Sequence, residues 1–159
     1  MSFLDIDERL LQLAEIAEIV YSPIVDTKEF PSDVDIVLVE GSVSSEEDLH
    51  KAQMVRERSK LVVALGDCAV TGNIPSMRNP FGPNEALERA YVENTDETPR
   101  TPDQDVPPLL KKVVPLHDVV KVDLHIPGCP PPADAIWHAV NAIIAGKMPD
   151  PSELTRFGK

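Results

Sequence analysis

The chain has 159 residues, of which 42% are hydrophobic and only 4% aromatic. That content supports one compact core and excludes wholesale disorder. A formal net charge of −12 excludes a nucleic-acid backbone as partner, since that needs a basic face, and fits an acidic subunit of a larger assembly. No apolar run approaches the roughly 18 residues that cross a bilayer. MSFLDIDERL has no basic leader region, so membrane insertion is not expected and a cytoplasmic setting is the default.

In chain order, SFLDIDERLLQLAEIAEIV spaces Phe3, Ile6, Leu10, Leu13, Ala17 and Val20 as one helical stripe, widened by Leu4 and Leu11. Ser2 and Asp5 resemble a capping pair, which starts this helix almost at the first residue. Tyr21 to Pro31 reads as an extended segment and a loop. DIVLVEG, residues 35–41, is a continuous apolar run ending in glycine, as in a strand buried on both faces. Ser44 or Ser45 then caps a surface helix with acids in its first turn and bases later. Leu61 to Leu65 forms the next strand, ending at Gly66, and strand–helix–strand at this spacing predicts a parallel sheet.

From Ile74 to His117 the pattern weakens. EALERAYV predicts a short helix near 85–92, and the proline-rich NTDETPRTPDQDVPPLLKKVVP reads as an excursion across the surface. VVKVDLHI returns as a strand opened by His117. PPADAIWHAVNAIIAG is a helix entered through prolines and ended at Gly146, and the tail KMPDPSELTRFGK looks irregular.

Three strands thus end at Glu40-Gly41, Gly66-Asp67-Cys68 and Pro127-Gly128-Cys129. A parallel sheet brings those ends to one carboxyl edge, where α/β proteins place their ligands. The two cysteines are expected to be neighbours there, each after a glycine that lets the backbone turn sharply and come close to a bulky inorganic group. Zinc and iron–sulfur clusters both accept thiolates, and either wants four good ligands where this chain has two cysteines. Two buried structural cysteines is the plainer alternative. The histidines do not complete a ligand set: His138 lies in an apolar helix, His50 on a charged one, and His117 and His125 lack ligand spacing. No nucleotide-binding or nucleophile-elbow motif occurs.

MSFLDIDERL, VLVEGSVSSEE, LVVALGDCAVTGNIPSMRNPFG and VVKVDLHIPGCPPPADAIW, in that order, resemble the small subunit of NiFe hydrogenases across essentially the whole chain. The likeness is to the cytoplasmic, bidirectional, NAD-linked group. More distantly the chain is similar to the 20-kDa-type subunit of complex I, whose adjacent Cys-Cys pair is not found in this sequence. The resemblance implies one iron–sulfur small-subunit domain over 1–159, flavodoxin-like, with helices on both faces of a parallel sheet and the excursion at about 94–118. It implies a 4Fe–4S cluster held by Cys68 and Cys129, with two further thiolates from a Cys-x-x-Cys on a first strand upstream of Met1. It implies an electron relay between the NiFe large subunit and a diaphorase module carrying iron–sulfur, flavin and NAD sites. Gly66, Gly128, Glu40 and Thr71 are the expected surroundings of the cluster, Glu40 in a polar or proton-path role and Thr71 as a hydrogen-bond donor to sulfur. Asp67 is expected to point away from the sulfides. The competing expectations are an assembly module of the same fold without a cluster, and a complex-I-like subunit passing electrons to quinone.

Overall fold

A computed structural model of the chain describes residues 2–22, 25–96, 98–150 and 155. Its centre is a three-stranded parallel sheet in the order β1 (Val34–Glu40), β3 (Ser59–Leu65), β5 (Leu124–Ile126). The strands run level at their carboxyl ends, with Glu40 opposite Leu65 and Leu65 opposite Ile126.

The middle strand dictates the layering. Successive side chains of a strand face opposite sides, and β3 is apolar at every position from Leu61 to Leu65. Val63 and Leu65 join Leu124, Ile126 and Ile36 against Ile6, Leu13, Ile136, Ala139, Val140 and Ile143. Val62 and Ala64 join Val37 and Val39 against Val43, Ala52, Ala69 and Leu116. One layer therefore consists of the amino-terminal helices and α5 (Ala133–Ile144), and the other is built on α2 (Glu46–Glu57) and α3 (Gly66–Thr71). This is the α/β arrangement with helices on both faces. Val62 to Leu65 are essentially inaccessible, and each large side chain so buried stabilises the fold by about 1.5–3 kcal/mol.

Several elements differ from the expectation. The amino-terminal stripe is not one helix: a 3-10 turn over Ser2–Ile6 is followed by α1 (Arg9–Ile16). Asp7 separates them at a left-handed φ of 52°, a conformation that Asp tolerates better than most residues. The rotation at Asp7 buries Ile6 and Leu13 but leaves Leu4 and Leu11 exposed, so these two do not widen the stripe. Arg9 pairs with Asp134 at 2.7 Å and lies over the Trp137 ring, tying α1 to α5. β1 is half-buried rather than buried on both faces, because among the described residues only β3 pairs with it.

A second sheet was not expected. Val43–Ser45 forms β2, antiparallel to β4 (Leu109–Val114), so the LLKKVV end of the proline-rich excursion is a strand. Arg78 reinforces the pair by donating to the carbonyls of Ser44 and Leu110, at 2.9 Å each. Ser45 caps α2 in a reciprocal box: the Asp48 amide donates to its hydroxyl, and its own amide donates to the Asp48 carboxyl. The helix expected near 85–92 is α4 (Pro83–Glu88), continued by one π-helical turn. Only Leu124–Ile126 of VVKVDLHI is strand, and His117 belongs to a 3-10 turn over Leu116–Asp118 instead of opening it. Most of the expected irregular tail lies outside the described residues.

Candidate metal centre

The turn from β3 into α3 carries Cys68, and the turn from β5 into α5 carries Cys129. Because their strands are neighbours in the sheet, the two turns meet. The Asp67 amide donates to the Gly128 carbonyl at 2.8 Å, and the Gly128 amide donates to Asp67 Oδ1 at 2.7 Å. The two loops are thus fastened by a pair of opposed hydrogen bonds, one residue before each cysteine. Both thiols are free, Cys68 half-buried and Cys129 exposed.

The glycines serve these turns. A Cβ on Gly128 would stand 2.5 Å from Pro131 Cα and 2.8 Å from Pro131 N, and its φ is 140°. Gly66, at φ 83°, would place a Cβ 3.5 Å from the Gly128 carbonyl oxygen and 3.7 Å from the Pro131 ring. The missing Cβ of Gly66 admits the opposite loop, and that of Gly128 admits the tight turn of its own loop onto the buried Pro131. The expected room for an inorganic group is therefore not what these two positions supply directly. The Cys129–Pro130 peptide is cis.

The other expected residues divide. Thr71 donates its hydroxyl proton to the Asp67 carbonyl at 2.8 Å, so in this structure that proton supports the turn and not a sulfur. Glu40 is exposed at the end of β1, on the same sheet edge. His50 and His138 are exposed. His125 faces the α2–α3 side of β5, and its ring lies 5.6 Å from that of His117 in an edge-on contact. Burial and, secondarily, the neighbouring His117 hold His125 below the usual imidazole range. The Asp67 clamp is what reading the sequence missed. The one available signal was an acid directly after a glycine at a strand end.

As a donor set, two free thiols on facing loops suit a thiolate-bound metal or cluster. Among the described residues, no three His, Cys, Asp or Glu side chains group closely enough to hold an ion by themselves. Two thiols are fewer than the four good ligands that zinc or an iron–sulfur cluster takes.

Residues 1–143 match the family described as NADH ubiquinone oxidoreductase, 20 Kd subunit. The chain is 40% identical to the delta subunit of the NAD-reducing hydrogenase HoxS of Cupriavidus necator, over 99% of this chain and 78% of that one. It is 32% identical to the iron-sulfur subunit of the F420-non-reducing hydrogenase of Archaeoglobus profundus, over all of this chain and 56% of that one. The chain spans about half the length of the F420-non-reducing hydrogenase subunits it matches. Its fold superimposes on a chain of the crystal structure of an NAD+-reducing [NiFe]-hydrogenase in the H2-reduced state, with a TM-score of 0.91 and 37% identity, covering 99% of this chain and 90% of that one. No helix among the described residues is long and apolar enough to cross a membrane. On these matches the chain belongs to the family of the NADH ubiquinone oxidoreductase 20 Kd subunit, and its likeness within that family runs to subunits of hydrogenases.

Proposed function

We propose that this chain is the electron-transfer small subunit of a NiFe hydrogenase, in which Cys68 and Cys129 supply two of the four thiolates of a 4Fe–4S cluster. The other two would come from a Cys-x-x-Cys outside residues 1–159, since the chain holds only two cysteines. The observation that carries the reading is the placement of two free thiols on loops fastened to each other, one residue before each cysteine, at the carboxyl edge of a parallel sheet. Such a cluster, when bound, supplies single-electron storage and transfer. The part of this chain is to hold it in place: Cys68 and Cys129 as ligands, Gly66 by letting the loops close on each other, Gly128 by allowing the tight turn of the Cys129 loop, and Thr71 by bracing the Asp67 turn. Glu40 adds a carboxylate to the same edge, and we assign it a polar or proton-relay role there.

For the partner face we look to the exposed apolar residues that follow Cys68 in the chain. Ile74, Met77 and Phe81, just downstream, are each about two-thirds exposed (65%, 67% and 66%). Large apolar side chains exposed this close together in the chain suit an interaction surface. We assign this face to the NiFe large subunit, with electrons passing on to an NAD-linked diaphorase module. The quinone-linked alternative expected from the sequence is the reading that the family description suits. Hydrogenase subunits among the relatives favour the first.

The test is electron paramagnetic resonance of the reduced, purified complex, before and after Cys68→Ser and Cys129→Ser. One iron–sulfur signal is expected to be lost or converted in each variant. Wild-type signals that persist unchanged in both variants would overturn the assignment. H2-dependent reduction of NAD(P)+ by the complex, against quinone, separates the two electron acceptors.

A further inference from the structure

The geometry points to Asp67 as a positioning residue that fixes the separation of the two cysteine loops. This inference rests on the reading of Cys68 and Cys129 as joint ligands. β5 is three residues long, and its pairing with β3 ends at Leu65 opposite Ile126. Beyond that point β3 has already become helix: Gly66 opens α3, and the Asp67 carbonyl accepts the Thr71 hydroxyl. A parallel partner strand would have offered the Gly128 amide a main-chain acceptor. Asp67 replaces it with its carboxyl, while its own amide donates to the Gly128 carbonyl. The side chain thus supplies one more rung past the end of the sheet, at the level of the cysteines.

The same device closes the other end of the strand pair. The Asp123 amide donates to the Val62 carbonyl at 2.8 Å, and the Val62 amide donates to Asp123 Oδ2 at 2.9 Å. Asp123 lies far from both thiols along the strands, which makes it an internal control. Loss of either clamp weakens the β3–β5 pairing, but only loss of the Asp67 clamp frees the loops that carry the ligands. Ligand constellations need their first-contact residues held to within about half an ångström by supporting bonds. Among the described contacts, the Asp67 pair is the hydrogen-bonded tie between these two loops.

The experiment bridges the two thiols in the full-length protein, in its complex, after chelation of the metal, using the bifunctional thiol reagent dibromobimane. The Cys68–Cys129 product is identified by peptide mapping. Wild type is expected to bridge most, and Asp67→Asn, which keeps an acceptor oxygen without the charge, within about threefold of it. Asp67→Ala should bridge about tenfold less, the population change expected for losing one hydrogen bond to a charged group. Asp123→Ala should melt earlier yet bridge like wild type. Undiminished bridging in Asp67→Ala, or equal loss in Asp67→Asn and Asp67→Ala, overturns the inference. Should Asp67→Ala not fold, exchange of the Gly128 amide in wild type and Asp67→Asn decides: slow exchange in both supports the clamp, and fast exchange overturns it. If wild type bridges but its reduced complex loses no signal on cysteine substitution, the ligand reading fails and the clamp stands as loop architecture only.

Discussion

At the residue scale, the two glycines before the cysteines look alike in sequence and differ in consequence. Gly128→Ala drives a Cβ into the Pro131 backbone, with nowhere for either to move. It should cost about 3 kcal/mol or more in urea unfolding, the range of changes that clash with fixed backbone. Gly66→Ala meets only ordinary van der Waals contacts and a left-handed φ, so about 1–2 kcal/mol is expected. Equal losses would show that the loops repack around the added methyl group. Asp123 carries a pH dependence. Burial pushes its carboxyl up, but the Val62 amide, Arg56 at 2.6 Å and Lys121 together outweigh that and hold it below the ordinary range. Its stabilisation is therefore present above about pH 4, the unfolded carboxyl value, and is lost as pH falls further through the folded value. Unfolding free energies of wild type and Asp123→Ala from urea titration should differ by about 2 kcal/mol near neutrality, and the difference should narrow progressively as pH falls below about 4. Sequence made the cysteines and glycines visible because each stands where an apolar run stops. It hid the Asp67 clamp, since a side chain reaching the main chain of a distant loop leaves no periodicity.

At the element scale, the parallel strands were readable where burial on both faces forces a continuous apolar run, as in LVVAL. β2 was not, because Val43–Ser45 is too short to show alternation and its serines also serve the following helix. β4 was hidden by the prolines before it and by Lys111 and Lys112, which face solvent. The start of β5 is over-read for the opposite reason. Val119, Val120 and Val122 are apolar because they pack on the second core from a turn and the irregular segment after it, not from a strand. The amino-terminal helix shows that a correct apolar stripe does not guarantee an unbroken helix, because Asp7 can divide it. The cap of α2 gives a prediction at this scale. Ser45→Ala removes one half of the Ser45–Asp48 box and should cost about 1 kcal/mol in denaturant titration. Asp48→Ala also removes two bonds to Ser44 and should cost more. A larger loss for Ser45→Ala would show that its buried side chain matters chiefly for packing.

At the scale of the whole molecule, one sheet edge gathers the thiols, and an apolar face begins a few residues beyond. If that face is where a large subunit docks, replacing Ile74, Met77 and Phe81 together by Ser should leave the melting temperature of the chain nearly unchanged, since exposed positions contribute little to folding. Co-purification of the partner should drop at least tenfold in pull-down titration. Retained co-purification would place the interface elsewhere. The small β2–β4 sheet has a further consequence, for the covalent continuity of the chain. It staples residues 43–45 to residues 109–114 on the far side of a stretch, 98–108, that has no regular structure. Arg100 lies exposed in that stretch. Everything carboxyl-terminal to it, β4, β5 and α5, is held by pairing and packing with what comes before. A single tryptic cut at Arg100 should therefore leave two fragments that co-elute as one particle and separate only in denaturant. The fold would be a non-covalent assembly of two pieces, each contributing one of the two cysteines.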